Sequence, residues 1–132
     1  MNGTYALFIR FGRTVTVSVG ALGEMTFPDG EYCYIGSAMN GLEHRIRRHM
    51  SPTKKMRWHI DRLTVLADHA EAYISQSADE CGLRAVAGEC GMRPAAEGFG
   101  CSDCGCDTHL MISCGPSKAE FVTAAGLTFF EP

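Results

Sequence analysis

Apolar and polar residues alternate along the first 36 positions of the chain. Every second residue from Tyr5 to Phe11 is apolar, which predicts a strand over Thr4–Phe11. Turn residues such as Pro28-Asp29-Gly30 separate the stretches that follow. Three further strands are predicted at Thr14–Val19, Glu24–Phe27 and Glu31–Ile35. We therefore expect the chain to begin with a β-meander of about four strands.

A helical spacing replaces this alternation after Asn40. Leu42, Ile46 and Met50 lie four positions apart and share one stripe of a predicted helix. That helix is expected over Gly41–Met50, with Asn40 as its N-cap.

The rest of the chain carries both helix and strand signals. The predicted elements are a helix at Met56–Ala67, a strand at Glu71–Ser75, a helix from the capping box Ser77–Glu80 to about Glu89, an irregular loop at Met92–Thr108, a strand at His109–Ser113, a helix after the capping box Ser117–Glu120 and a strand at Leu127–Phe130. We expect a single α/β domain over residues 1–132, with a small antiparallel sheet flanked by at least three helices.

Charge is unevenly distributed along the chain although its total is small. The formal net charge is −3, so the total gives no indication of a nucleic-acid partner. Seven of the 12 Lys and Arg residues nonetheless lie between Asn40 and Leu63, where only Glu43 and Asp61 oppose them. The seven are Arg45, Arg47, Arg48, Lys54, Lys55, Arg57 and Arg62. Such a stretch is typical either of a surface that binds a polyanion or of a solvated helix face.

The remaining composition favours a folded protein in a reducing compartment. Hydrophobic residues make up 45% and charged residues 20% of the chain, as in ordinary globular domains. Met1 to Arg13 lacks the apolar run of a signal peptide, and no stretch of about 18 apolar residues occurs, so we expect a cytoplasmic protein without a membrane-crossing helix. We interpret the seven cysteines as thiols or metal ligands, not as a disulfide framework.

Several short motifs carry candidate chemistry. Gly3-Thr4-Tyr5 and Tyr34-Ile35-Gly36 stand at the two ends of the predicted meander. Arg45 and His49 follow at i, i+4 spacing, so both project from one side of the first predicted helix. Later motifs are Trp58-His59-Ile60-Asp61 and the segment Gly98–Leu110, with Glu80 between them.

Together these motifs resemble the GIY-YIG nuclease superfamily, with Thr in place of Ile in the first tripeptide. The resemblance runs from about Gly3 to Leu110 and is closest to a branch labelled a domain of unknown function. That branch has widely spaced tripeptides, a Trp-His-Ile-Asp segment and a late Cys-x-Cys-x-x-His segment. The resemblance implies a GIY-YIG endonuclease-like fold. Tyr5 and Tyr34 are 29 positions apart, more than in the better-known members, and an inserted β-hairpin that leaves the outer strands adjacent would explain this spacing.

The resemblance implies a metal-dependent endonuclease that hydrolyses DNA phosphodiester bonds, as in DNA repair or processing. Tyr5 and Tyr34 would share the role of general base, one as the base and one as its orienting partner. Arg45 would bind the scissile phosphate, and His49 would position or relay a proton. Superfamily members also carry a late Asn, which has no counterpart here because Asn40 is the only Asn after residue 2.

A carboxylate and several cations complete the implied site. Glu80 would hold Mg²⁺ or Mn²⁺, with neighbouring Asp79 as its rival for that role. DNA phosphates would be contacted by a set of basic residues, namely Arg48, Lys54, Lys55 and Arg57. His59 and Asp61 are expected to be structural, with Asp61 paired to Arg57. Two alternatives remain open, a non-catalytic nucleic-acid-binding module and an RNA-directed nuclease, and a further protein partner could supply targeting.

A cluster of soft ligands lies near the end of the chain. Cys101, Cys104, Cys106 and His109 fall within nine residues, and zinc takes four such ligands tetrahedrally. Their spacing is tighter than in the usual zinc knuckles, so a donor from elsewhere remains open. The candidates are Cys81, Cys90, Cys114 and His59. The alternative to a zinc site is a set of buried, reduced thiols.

Overall fold

The computed structural model describes residues 3–38, 40–51, 55, 58–96, 98–99, 106–113 and 116–131. Strands and helices follow one another along this part of the chain. In order they are β1 (Gly3–Phe11), β2 (Val15–Ser18), a 3-10 turn (Gly20–Leu22), β3 (Glu24–Phe27), β4 (Gly30–Ala38), α1 (Leu42–Met50), α2 (Asp61–Thr64), β5 (His69–Ser75), α3 (Glu80–Glu89), β6 (Arg93–Pro94), β7 (Leu110–Ile112), α4 (Ser117–Ala124) and β8 (Thr128–Phe130). The expectation of an α/β protein with an antiparallel sheet flanked by helices is therefore confirmed.

The main sheet has the strand order β6-β7-β4-β1-β5-β8, and its pairings are antiparallel. β1 lies in the middle, between β4 and β5. β2 and β3 pair only with each other and form a separate hairpin between β1 and β4. The predicted hairpin insertion is confirmed, whereas the predicted meander of sequential neighbours is wrong.

The contacts of Gly12, in the segment between β1 and β2, and the pairing of β1 explain why the meander does not form. Gly12 and Arg13 follow β1 directly, but they do not form a hairpin turn, because β1 and β2 are not partners. The Gly12 backbone N–H donates instead to the Asp68 carboxylate at 2.6 Å, at the start of β5. β1 pairs along its whole length with β4, from Gly3 opposite Ala38 to Phe11 opposite Gly30, and that longer ladder determines the topology.

β1 is buried on both faces, and each face supports a different core. Residues of one face, such as Leu7, pack with α1, α2 and the β2–β3 hairpin. Residues of the other face, such as Phe8, pack with α3 and α4. The sheet therefore has helices on both sides, and apolar burial on two faces makes β1 the centre of the protein.

The helix starts differ from the capping patterns seen in the sequence. α1 begins after Gly41, whose φ of +66° makes the turn out of β4, and Asn40 is not its N-cap. At α3 the N-cap is Asp79, whose side chain accepts from the Gly82 N–H at 2.6 Å, so the predicted box starting at Ser77 is wrong. α4 begins at Ser117 itself, without a side-chain cap.

The second predicted helix is also shorter than expected. In the described part of Met56–Ala67, helix is confined to α2 (Asp61–Thr64). The Asp61 carboxylate accepts from the Trp58 N–H at 2.9 Å and so fixes the turn that leads into α2. None of the helices among the described residues has the length and hydropathy needed to cross a membrane.

The burial of residues on both faces of the sheet predicts that substitutions of two phenylalanines will differ in their effect on stability. Phe121 on α4 is fully buried, whereas Phe129 on β8 is 45% exposed. Phe121→Ala should lower the free energy of unfolding by about 3–5 kcal/mol, because it leaves a cavity between α4 and the sheet. Phe129→Ala removes the same atoms and should cost about 1 kcal/mol or less. Denaturant unfolding measures both, and similar losses would show that α4 does not seal a core.

Candidate active site

The pairing of β1 with β4 brings the two motif tyrosines together. Tyr5 lies opposite Gly36, and Leu7 lies opposite Tyr34, so both phenols project from the same face of the sheet. Their ring centroids are 6.4 Å apart. Residues 29 positions apart in sequence thus become diagonal neighbours across one ladder.

The glycine of the second tripeptide allows this approach. A Cβ atom at Gly36 would lie 2.5 Å from Tyr5 Oη and 2.6 Å from Tyr5 Cζ, closer than any real contact. The Tyr5 ring therefore passes over β4 at a position that has no side chain. A Cβ at Gly3 would likewise lie 2.8 Å from the Ser75 carbonyl oxygen of β5.

His49 on α1 completes a group of three rings. Tyr5 Oη and His49 Nε2 are 2.6 Å apart, and the His49 ring centroid lies 6.2 Å from that of Tyr34. Phe99, which is fully buried, packs edge-on against Tyr34 at 6.1 Å between centroids. The predicted candidates Tyr5, Tyr34 and His49 thus lie in one largely dry cluster.

The surroundings keep both phenols protonated. Burial raises the pKa of Tyr5 well above its ordinary value, and the neighbouring Tyr34 raises it further. Burial also raises the pKa of Tyr34 to about 12, with a further contribution from the negative charge of Glu80. Arg45 opposes both shifts without reversing them. A protonated Tyr5 hydroxyl can donate to His49 Nε2, which makes that nitrogen the acceptor.

Asp61 lies behind His49 and supports the same assignment. Its carboxylate is fully buried, with Oδ1 3.9 Å from His49 Nδ1. A negative charge at that position favours a hydrogen on Nδ1 and leaves Nε2 to accept from Tyr5. Tyr5, His49 and Asp61 therefore form a chain in the order phenol, imidazole, carboxylate.

Arg48 compensates the buried charge of Asp61. Its two terminal nitrogens each donate to one Asp61 oxygen at 2.9 Å, and Nη2 also donates to the Lys55 carbonyl at 2.7 Å. Such a bidentate pair is the strong form of a charge-assisted hydrogen bond. Arg48 was expected to contact DNA phosphates, but the structure assigns its guanidinium to Asp61. Arg57, the expected partner of Asp61, lies outside the described residues.

Arg45 has different hydrogen-bond partners from Arg48. It is half-buried, and its Nη1 donates to the Ser37 carbonyl at the end of β4. Its guanidinium also lies 4.9 Å from the centre of the Trp58 ring, which Arg48 contacts at 4.6 Å. Lys55 is exposed, and Lys54 lies outside the described residues.

Glu80 reaches the same region from the first turn of α3. Ser37 Oγ donates to Glu80 Oε1 at 2.6 Å, while Oε2 lies 3.4 Å from His109 Nδ1. The Glu80 side chain remains 32% exposed. Its rival Asp79 instead caps α3 through the Gly82 N–H. Of the two carboxylates, Glu80 is therefore the one that faces β4.

The sequence motifs did not reveal every member of this arrangement. Ser37 links Arg45 to Glu80, yet its only signal was its position directly after the second tripeptide. Asp61 was expected to be structural but lies directly behind His49, and the Trp-His-Ile-Asp segment was the available signal. His59 packs edge-on against Phe99 with centroids 5.7 Å apart, which agrees with a structural role.

The predicted soft-ligand cluster is only partly within the described residues. Cys106 and His109 lie together with Cys81 of α3, and one ligand atom of each falls within 4.8 Å of the others. Cys101 and Cys104 lie outside the described residues. Cys81 was one of the outside donors left open by the sequence.

The chain belongs to the family described as "Domain of unknown function DUF123", whose model matches residues 4–128. The matched range contains all the candidate site residues described above, and Gly3 lies just before it. Comparisons with curated proteins and with solved structures found no significant match.

The close approach of Tyr5 to Gly36 predicts that alanine substitutions at two glycines will differ in their effect on stability. Gly36→Ala should lower the free energy of unfolding by about 1–3 kcal/mol, because the new methyl group overlaps the Tyr5 ring. Gly88→Ala within α3 is the control, since its Cβ would meet no ring or backbone atom and only Nη1 at the end of the long Arg84 side chain, at 3.0 Å. It should leave stability unchanged or raise it by up to about 1 kcal/mol. Equal losses in denaturant unfolding would contradict the approach.

The raised pKa values of the two phenols predict a loss of stability at high pH. In the unfolded chain both ionise near 10, whereas in the folded protein Tyr34 ionises near 12 and Tyr5 well above 10. The raised pKa values contribute fully to the free energy of unfolding below pH 10, where both phenols are protonated in either state. That contribution is lost as the pH rises from 10 through the pKa values of the folded protein. Denaturant unfolding at a series of pH values should show a steeper alkaline decline for the wild type than for Tyr34→Phe. Identical declines would exclude a shifted Tyr34.

Proposed function

We propose that this protein is a metal-dependent endonuclease of the GIY-YIG type that hydrolyses phosphodiester bonds in DNA. The observation that carries the proposal is the 2.6 Å contact between Tyr5 Oη and His49 Nε2, with Tyr34, Arg45 and Glu80 around it. The resemblance to the superfamily motifs rests on four of these residues, Tyr5, Tyr34, Arg45 and His49, and it implies Glu80 as the metal-binding carboxylate. The proposal includes a cytoplasmic location and a role in DNA repair or processing.

Hydrolysis of a phosphodiester needs a group that accepts a proton from the attacking water. Since both phenols are protonated, Tyr5 can act as the base only if it passes on its own proton. His49 Nε2 stands ready to receive it, and Asp61 behind the ring stabilises the imidazolium that forms. The water proton goes to Tyr5 Oη as the Tyr5 proton goes to His49. The new P–O bond forms, the bond to the leaving sugar oxygen breaks, and solvent reprotonates that oxygen.

The scissile phosphate needs cationic donors beside this proton path. A guanidinium carries five N–H donors, and the Arg45 contact with Ser37 uses one nitrogen. Arg45 is therefore the residue we assign to phosphate binding. Arg48 is held by Asp61 and acts instead by fixing the carboxylate that supports His49.

Glu80 is suited to hold the divalent cation. Its carboxylate is partly exposed and offers hard oxygen atoms, which Mg²⁺ prefers together with phosphate oxygens and water. Ser37 and His109 hold the carboxylate in place through Oε1 and Oε2. When bound, the cation supplies positive charge for the phosphate and for the leaving oxygen.

One observation favours a second function, a nucleic-acid-binding module without turnover. Both phenols have raised pKa values, so the site contains no preformed phenolate. A binding module would keep the basic residues near α1 and need no proton path. The two functions differ in whether DNA is cut, which an assay can decide directly.

The test is Mg²⁺-dependent nicking of supercoiled plasmid by the purified chain, with a chelator as the blank. Tyr5→Phe and Glu80→Gln should each lower the nicking rate at least about 100-fold, because one removes the transferable proton and the other the metal ligand. Arg45→Ala should have a comparable effect through the phosphate. Tyr73→Phe, on the opposite face of the sheet, is the matched control and should retain full activity.

The outcomes separate the candidate functions. Activity that survives all three substitutions would end the assignment of roles. Binding of DNA by gel shift without nicking, under any divalent metal, would favour the non-catalytic module. Cleavage of RNA but not of DNA in a parallel substrate panel would redirect the proposal to an RNA nuclease.

A further inference from the structure

We propose that Cys81, Cys106 and His109 form a zinc site that fastens the start of α3 to the segment before β7. The three residues come from two segments separated by 25 positions, measured from Cys81 to Cys106. One ligand atom of each lies within 4.8 Å of the other two. Metal binding here can be tested without any nuclease activity, although His109 also contacts Glu80 of the proposed nuclease site.

The spacing of the two sulfur atoms suits a shared cation. Cys81 Sγ and Cys106 Sγ are 3.2 Å apart, too far for a disulfide of about 2.05 Å. Two thiolates bound tetrahedrally at about 2.3 Å stand about 3.8 Å apart, so the present pair needs to open by only about half an ångström. Binding would release the thiol protons.

Contacts of Arg84 hold the two ligand-bearing segments together without a metal ion. Arg84, one turn after Cys81 on α3, donates through Nη2 to the Asp107 carboxylate at 3.0 Å and through Nε to the Thr108 carbonyl at 3.1 Å. Asp107 and Thr108 lie between Cys106 and His109 in the chain. These contacts therefore tie the two ligand-bearing segments together independently of the sulfur atoms.

The carboxylate of Glu80 gives the imidazole a second contact. Glu80 Oε2 lies 3.4 Å from Nδ1 of His109, whose side chain is 1% exposed. Metal-bound imidazoles are commonly oriented by a carboxylate of this kind. The same contact joins the zinc site to Glu80, so loss of the metal should also loosen Glu80.

The ligand types select the metal. Two thiolates and one imidazole are soft donors that favour Zn²⁺ over Mg²⁺, which prefers oxygen ligands. Cys81 is exposed whereas His109 is buried, so the ion can enter from the solvent side of α3. The fourth tetrahedral position is left for water or for a donor outside the described residues.

The test measures metal binding directly, without any nuclease assay. Chelator-treated protein is titrated with Co²⁺, whose tetrahedral thiolate complexes absorb visible light, and the bound Co²⁺ is then displaced by Zn²⁺. We expect one ion per chain, and expect Cys81→Ser and Cys106→Ser each to weaken binding at least about tenfold. His109→Gln should do the same. Cys90→Ser, at the other end of α3, is the matched control and should bind like the wild type.

Folding is checked so that a weak site is not confused with an unfolded chain. Circular dichroism of each variant should match the wild type, and Glu80→Gln offers a milder change that keeps all three ligands. That variant should weaken Zn²⁺ binding several-fold, because it removes the negative charge beside His109 Nδ1. Failure of the wild type to bind Co²⁺ or Zn²⁺, or Cys81→Ser binding like the wild type, would overturn the proposal. So would a disulfide between Cys81 and Cys106 found by mass spectrometry under reducing growth.

Discussion

The antiparallel register between β1 and β4 is the constraint on which the candidate site depends. It sets Tyr5 opposite Gly36 and Tyr34 opposite Leu7, so that two phenols share one face and a bare glycine leaves room for one of them. A shift of one residue would send Tyr34 to the other face, because side chains alternate along a strand. Two buried cores hold the register, since every such shift would also exchange the residues that face α1 with those that face α3 and α4.

Burial of this region explains its electrostatics as well as its geometry. A phenol in a dry cluster resists ionisation, which is why the pKa values of Tyr5 and Tyr34 rise despite the nearby Arg45. The same low polarity strengthens the bond from Tyr5 to His49 and the ion pair of Asp61. Because both pKa values are raised, the site contains no free phenolate. In the proposed mechanism, the proton of Tyr5 leaves through the 2.6 Å contact between Tyr5 Oη and His49 Nε2.

Local patterns predicted the strands of the described residues except β6 (Arg93–Pro94), which lies in the predicted irregular loop, but they did not predict which strands pair. The alternation around β1 and the turn before β4 gave β1 to β4 closely, with β3 at its observed bounds. The helix starts were missed, because Asp79 and not Ser77 caps α3, and because Gly41 and not Asn40 precedes α1. The partners in space were also missed. No spacing rule connects Arg48 to Asp61, 13 positions later, because their contact depends on how α1 packs against the turn that follows it.

The start of α3 links the two proposed metal sites through the chain itself. Glu80 and Cys81 are consecutive residues in the first turn of α3, and neighbours on a helix point in different directions. Glu80 accordingly turns toward Ser37 on β4, whereas Cys81 turns toward Cys106. His109 touches both groups, by its contact with Glu80 and by its place in the soft-ligand cluster. A cation held by the sulfur atoms would therefore restrict the backbone that carries the hard-ligand carboxylate, so that one structural ion helps to position a residue proposed to bind another.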